Sequence, residues 1–307
     1  MSSLDLIVDA AVPAVVWLLM FVVGLELTTA DFARVLDYRS TVLLVTAAQL
    51  LLLPLLAAAL IWVLRPAPAI VAGLILVAAS PGGALSNVYA YLAGAHVALS
   101  VTLTAVSSVV AMVAMPVLCG AGFVLFLGPE HEIDTPLATM AGQLVVMLFL
   151  PVAAGMTLRR FRPGVVTAHR RALRWLSLLT LALLVALILA DQRDLLLATS
   201  TQLTLAAVLY SAGAMAAGWG LGLVMGLSPD DRFTLLLELT ARNLAITTMV
   251  GVMVLDRPDF VLFATLFLLT QLPLVALAIA LRGRWRRARD RGRRGLGMTE
   301  SPGARQP

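Results

Sequence analysis

Pro81-Gly82-Gly83-Ala84-Leu85-Ser86-Asn87 stands in the middle of an apolar run, residues 69 to 93, that otherwise reads as a membrane helix. Proline removes a backbone donor there, and two glycines relax the chain. The amides and carbonyls so freed need partners in protein, water or an ion, because lipid offers none. A second polar group, Glu238-Leu239-Thr240-Ala241-Arg242-Asn243, lies inside another apolar run, residues 230 to 255. No proline or glycine precedes Gly251 in that run, so its residues give no local reason for a break. A carboxylate, a guanidinium and two carboxamides at such depth mark an ion or solute site.

The rest of the chain gives these clusters their setting. Of 307 residues, 61% are hydrophobic and 13% charged, with mean hydropathy +0.97; about a quarter of a soluble domain is charged. Nine apolar runs are expected to cross roughly 30 Å of hydrocarbon: residues 12 to 28, 40 to 64, 69 to 93, 96 to 127, 137 to 158, 174 to 190, 198 to 226, 230 to 255 and 258 to 282. The fold class is therefore all-α and polytopic, with about nine transmembrane helices. The first run follows Asp5 and Asp9 with no basic segment ahead of it, which argues against a cleaved signal peptide.

Every basic residue is arginine, and alternate loops carry unequal shares. Arg34, Arg39, the Arg159 to Arg174 group, Arg232 and the Arg282 to Arg294 run fall on one side, and only Arg65, Arg193 and Arg257 on the other. The rich side is cytoplasmic by the positive-inside rule, which sets the N-terminus outside and the C-terminus inside. The net charge of +5 then follows from topology and calls for no nucleic-acid partner. Arg282 to Arg294 reads as a solvated anchor for the last helix, with anionic membrane lipids as an alternative partner at ~1 kcal/mol per residue. The single cysteine, Cys119, sits in an apolar run and reads as packing.

Residues 1–282 are expected to form one transmembrane unit, and 283–307, rich in arginine and glycine, a disordered cytoplasmic tail. Each polar cluster occupies the next-to-last run before a boundary, the central arginine-rich loop or the tail. Matching positions in two halves suggest pseudo-repeats, about 12–127 and 137–282, around a midplane site.

Within that site Ser86 and Asn87 follow the first break, while Ser100 and Thr104 lie one helical turn apart on the next run. Neutral oxygens with a single carboxylate, Glu238, suit a monovalent hard cation, because they replace its hydration without holding it too tightly. Glu238 and Arg242 are four apart; on an unbroken helix they face the same way and pair, either as a structural ion pair or as a charged site that also meets a cation or an anionic substrate. Asn243 and Gln49 are candidates for the same cavity, with a helix–helix hydrogen bond as the alternative for Gln49. Glu26 and His96 read as boundary residues, Tyr89 and Tyr91 as path-lining or interfacial groups, and Gln271 as a polar wall. No phosphate loop, cluster of metal ligands or positioned nucleophile is present in the sequence, so no enzyme and no bound cofactor is expected.

The stretch Pro81 to Ala93, followed by Val97-Ala98-Leu99-Ser100-Val101-Thr102-Leu103-Thr104, resembles the bile acid:sodium symporter family. Weaker likeness runs from Trp17 and Gly24 through Gln49 and Pro54 to the ninth run. The resemblance implies inverted repeats with crossed broken helices, and a chain that begins at the family's second helix. It implies one sodium site at Ser86, Asn87, Ser100, Thr104 and Glu238, with sodium as co-substrate. A second site would use Gln49, Glu238 and a glutamine at the position held here by Arg242, whose guanidinium should repel a cation. The expected function is uptake of an amphipathic or small carboxylated organic anion with at most one sodium ion; the alternatives are a sodium-independent or proton-coupled carrier, or a membrane ligand sensor. The absence of lysine hints at a GC-rich bacterial coding sequence, hence a bacterial inner membrane. The substrate and oligomeric state are not legible.

Overall fold

The computed structural model describes residues 36–128, 137–169 and 193–295, together with parts of 14–30 and 172–186. Glu26, the acidic stretch 130–134, most of the expected sixth run and residues 296–307 lie outside the described residues. The architecture is all-α, built of α1 (Arg39–Leu64), α2 (Pro68–Ala79), α3 (Leu85–Ala93), α4 (Val97–Phe126), α5 (Leu137–Leu144), α6 (Leu150–Phe161), α7 (Pro163–Ala168), α8 (Arg193–Val224), α9 (Pro229–Thr240), α10 (Leu244–Met249) and α11 (Val261–Gly295). A π-helical turn, Val145–Phe149, joins α5 to α6, and another, Val250–Val254, follows α10.

Among the described residues, five segments are long and apolar enough to span a membrane: Arg39–Leu64, Val97–Phe126, Ala141–Phe161, Thr201–Val224 and Pro258–Arg287. They match the expected second, fourth, fifth, seventh and ninth runs. The third and eighth runs are each two short helices in series, α2 with α3 and α9 with α10. The first and sixth runs are described only in part, so the expected count of nine stays an expectation.

Apolar side chains on the outside are what a lipid-facing surface requires. On α1, Leu44, Leu51, Leu55 and Trp62 are exposed, while Val45, Gln49, Leu53 and Ile61 point into the bundle. The centre is formed by the two broken runs, in which residues 70–83 and 233–251 are buried without interruption. Around them α8 and α11 pack through an aromatic cluster, with the Tyr210 ring 5.6 Å from Phe267 and 6.3 Å from Phe263. Cys119 is fully buried in the apolar core, as its setting in the sequence suggested.

Both breaks occur where the two runs cross. Residues Ser80 to Gly83 meet Ala241 to Asn243 as a minimal antiparallel bridge centred on Gly82 and Arg242. The Gly83 amide donates to the Ala241 carbonyl at 2.7 Å, and the Asn243 amide to the Pro81 carbonyl at 2.9 Å. The remaining Gly82 amide donates to Ser107 Oγ in α4 at 3.2 Å. Each interruption thus supplies the partners that the other needs, which is how irregular backbone survives at membrane depth. Two glycines permit the approach: a Cβ on Gly83 would lie 2.7 Å from the Arg242 carbonyl oxygen, and one on Gly82 would collide with the Glu238 carboxylate.

The expected break in the third run is where Pro81-Gly82-Gly83 placed it. The eighth run departs from an unbroken helix, since α9 ends at Thr240 and Ala241 and Asn243 are extended, with ψ of 95° and 91°. The cause is tertiary, because no local residue breaks the helix there.

The last helix continues to Gly295, past residue 282 where composition had placed the start of the tail. Arginine is a good helix former. Arg282 and Arg286 also donate to Asp230 at 2.6 and 2.7 Å, and Arg286 to the Gly94 carbonyl at 3.1 Å. These arginines bind the start of α9 and the end of α3, so they do more than anchor the helix at the surface.

Candidate ion and solute site

α4 supplies two hydroxyls on one face, and α9 carries a carboxylate one turn before its end. Thr104 Oγ1 donates to Glu238 Oε1 at 2.8 Å and Ser100 Oγ to Oε2 at 3.0 Å. Ser86, in the first turn after the first break, places its Oγ 3.2 Å from Thr104 Oγ1 and 3.3 Å from Ser100 Oγ, and donates to the Gly83 carbonyl at 2.9 Å. Asn87 Oδ1 lies 3.5 Å from Thr104 Oγ1. The five residues singled out for a cation therefore come together from three helices. Glu238, Ser86 and Ser100 have no exposed surface, and Thr104 is 2% exposed. Each hydroxyl has one proton to give and two lone pairs with which to accept. Among the described residues no group of three or more His, Cys, Asp or Glu could hold a metal ion. One carboxylate among neutral oxygens matches a monovalent ion.

Arg242 departs from the expected pairing. Among the described residues no ion pair joins it to Glu238, because the break turns residues 241 to 243 out of the helix and sends the two side chains different ways. Arg242 Nη1 instead donates to Gln49 Oε1 in α1 at 3.2 Å. The guanidinium is 3% exposed, and its Nε and the Gln49 Nε2 are buried without hydrogen-bond partners. Opposite charges inside one low-dielectric core still attract without touching. The helix–helix alternative for Gln49 is thus realised with arginine as the donor.

Asn243 lies beside this pair with a different task. Its Oδ1 accepts from the Ile246 amide at 3.3 Å and so caps α10, while its Nδ2 faces Met20 Sδ at 3.9 Å.

A cavity of about 220 Å³ opens beside the oxygen cluster at the arginine-rich end of the bundle. Asn87 and Thr104 are common to both, and the walls include Val88, Tyr91 and Val101 together with Arg159 of α6. Tyr91 is therefore a lining residue, while Tyr89 is buried with its hydroxyl unpaired. Gln271 is buried in α11 with neither amide atom paired, and does not line this cavity.

Three contributions were missed in the sequence. Ser107 was one more hydroxyl on an apolar run. Arg159 was counted only as a topology signal. His96, expected to be a boundary residue, joins three elements: its Nδ1 is 2.7 Å from Asp231 Oδ1, its Nε2 is 3.2 Å from Tyr38 OH, and its amide donates to Thr234 Oγ1 at 2.9 Å. The i to i+4 patterns around these residues carry no sign of the partners, which lie on other helices.

A sequence profile described as the Sodium Bile acid symporter family matches residues 13–199. The chain belongs to that family. The match covers the first crossing and stops before the second, whose assignment rests on its geometry. This family member is 28% identical over 209 residues to an uncharacterized sodium-dependent transporter of Bacillus subtilis, covering 68% of this chain and 61% of the relative. It is 30% identical over 220 residues to a probable chloroplastic sodium/metabolite cotransporter of Oryza sativa subsp. japonica, covering 72% and 51%. A corresponding protein of Arabidopsis thaliana shares 28% over 224 residues, covering 73% and 54%. The chain thus spans between half and two thirds of the length of these relatives.

Proposed function

We propose that this family member is a secondary transporter that moves one sodium ion together with one small organic anion by alternating access. The observation that carries the reading is the Glu238 carboxylate held by Ser100 and Thr104 at the crossing, in contact through Thr104 with a cavity at one end of the bundle. The ion sits among Ser86, Asn87, Ser100, Thr104 and Glu238, and draws Asn87 and the carboxylate together. Solute and ion then favour the same closed form, and each strengthens the binding of the other by an equal factor. Residues 12–127 and 137–282 act as inverted halves, with the arginine-rich end in the cytoplasm and the crossing near the midplane.

Arg242 sets the ion count in this reading. Its fixed charge, buried against Gln49, stands where a second cation would otherwise have to go. One sodium ion with one monoanion carries no net charge, so transport is electroneutral, whereas two sodium ions would make it electrogenic. The built-in cation also favours a second reading, a carrier that uses no sodium.

Uptake of candidate anions into proteoliposomes, compared in sodium, potassium and choline, separates these. Sodium-stimulated uptake with a Hill coefficient near one and no dependence on membrane potential is expected. A coefficient near two removes the one-ion version, and equal uptake in sodium and potassium removes sodium coupling. Saturable binding without accumulation under any gradient would identify a sensor.

A further inference from the structure

Among the described residues Arg159 is the one guanidinium lining the cavity of about 220 Å³ that touches the oxygen cluster. It uses Nη1 to hold the Leu25 carbonyl at 2.8 Å, and among the described residues no carboxylate pairs with it. Arginine has five N–H donors in a planar fork, and among the described residues the Leu25 carbonyl takes one of them. The side chain is half-buried rather than extended into solvent. Its backbone is held firmly: Gly155, one turn earlier, packs against Phe21 and Gly24 of the first helical segment so closely that a Cβ there would collide with the Phe21 carbonyl. A fixed helix crossing therefore aims Arg159 at the cavity.

Asn87 and Thr104 of the oxygen cluster line the same cavity, and its walls also include the aliphatic Val88, Val97 and Val101. We infer that Arg159 binds the acid group of the transported solute, and that the cavity accepts a compact aliphatic monocarboxylate whose body lies along the valine wall toward Asn87. This rests on the reading of the protein as an organic-anion carrier and names the solute's contact. Three features decide the chemical class. A planar guanidinium fork matches a carboxylate in two parallel hydrogen bonds. The Glu238 carboxylate, bonded to Thr104, repels a second acid there and leaves Arg159 as the favourable contact. The volume equals roughly seven waters at ~30 Å³ each and falls below the ~300–1,000 Å³ of pockets for drug-sized ligands.

A second recess of about 630 Å³ shares Leu27 and Arg159 with this cavity and is lined as well by Phe149, Met156 and Arg160.

The test uses the full chain in detergent and in proteoliposomes, with 3-methylbutanoate, its amide and cholate as probes. Ligand binding is read from the shift in melting midpoint, which follows the linkage between free ligand and Kd. The acid is expected to stabilise the parent, and the amide and cholate to have little effect. Arg159→Gln should weaken acid binding at least tenfold, and Arg159→Lys, which keeps the charge and loses the fork, should weaken it less. Val101→Ala should admit a bulkier acid such as cyclohexanecarboxylate. Monodispersity and the ligand-free melting midpoint of each variant show that it is folded; if Arg159→Gln is not, Arg159→Lys and the acid-against-amide comparison in the parent carry the test. Acid binding within twofold of the parent in folded Arg159→Gln would reduce the residue to a clamp on the first helix and overturn the assignment. So would amide or cholate binding as tight as that of the acid, or no acid binding to the parent. Acid binding that depends on Arg159, with uptake equal in sodium and potassium, leaves this assignment standing and removes sodium coupling. Sodium-stimulated uptake that is indifferent to Arg159→Gln does the reverse.

Discussion

The two crossing segments do the same structural job with opposite chemistry. Around Pro81 to Asn87 the break is made by residues that cannot continue a helix, and the side chains offered are a hydroxyl and a carboxamide. Around Glu238 to Asn243 every residue is able to continue a helix, and the side chains include one full negative and one full positive charge. The first segment supplies room: Gly82 and Gly83 let the backbones touch. The second supplies charge, and the room decides where each charge goes. Extended geometry at 241 to 243 sends Glu238 to Ser100 and Thr104 and Arg242 to Gln49, where a continuous helix would have put them together.

Glu238→Gln should have the largest effect. It removes the cluster's charge and keeps its shape, so the sodium dependence of melting temperature and uptake should weaken by about 100-fold or more, ~2.7 kcal/mol. Arg242→Gln should act differently: sodium still binds, and the Hill coefficient for sodium rises. An unchanged sodium midpoint in Glu238→Gln would erase the division of labour between the two charges.

Next in size is the contact itself. Gly82→Ala pushes a methyl group into the Glu238 carboxylate and should cost ~1–3 kcal/mol by overpacking, measured as loss of thermal stability. Gly142→Ala, where a Cβ meets nothing within 4 Å, should be neutral or slightly stabilising. Equal outcomes for the two glycines would mean that the crossing is looser than described.

Ser107→Ala leaves the buried Gly82 amide without its acceptor, for a loss of ~1–3 kcal/mol. Among the described residues its neighbour Ser108 bonds the local Thr104 carbonyl alone, so Ser108→Ala should change stability far less. If the two serines prove interchangeable, α4 does not support the crossing.

The smallest effect separates the two asparagines. Asn243→Ala removes the cap on α10 and should lower stability by ~1 kcal/mol while sparing the sodium response. Asn87→Ala should weaken that response with little change in stability. A reversal of these outcomes would exchange their roles.

Much of this was open to a reader of the sequence. Long apolar runs announce a membrane protein, and the five oxygen-bearing residues proposed for the ion do converge. The likeness around Pro81 to Thr104 is dense enough to name the family. Other features were not legible for a common reason. The second break, the separation of Glu238 from Arg242, the cap role of Asn243 and the inward aim of Arg159 all depend on partners on other helices. His96 looked like a helix-end residue because Asp231 and Tyr38, which hold it, are remote in sequence.

Hydropathy, arginine placement and a proline with two glycines are properties of short segments, and they suffice to embed the chain in a bilayer, suggest its orientation and break its third run. The second break is no property of its own segment. It exists because the buried backbone groups at 81 to 83 are paired by residues 241 to 243. That pairing also decides which charge faces the hydroxyl cluster and which faces Gln49.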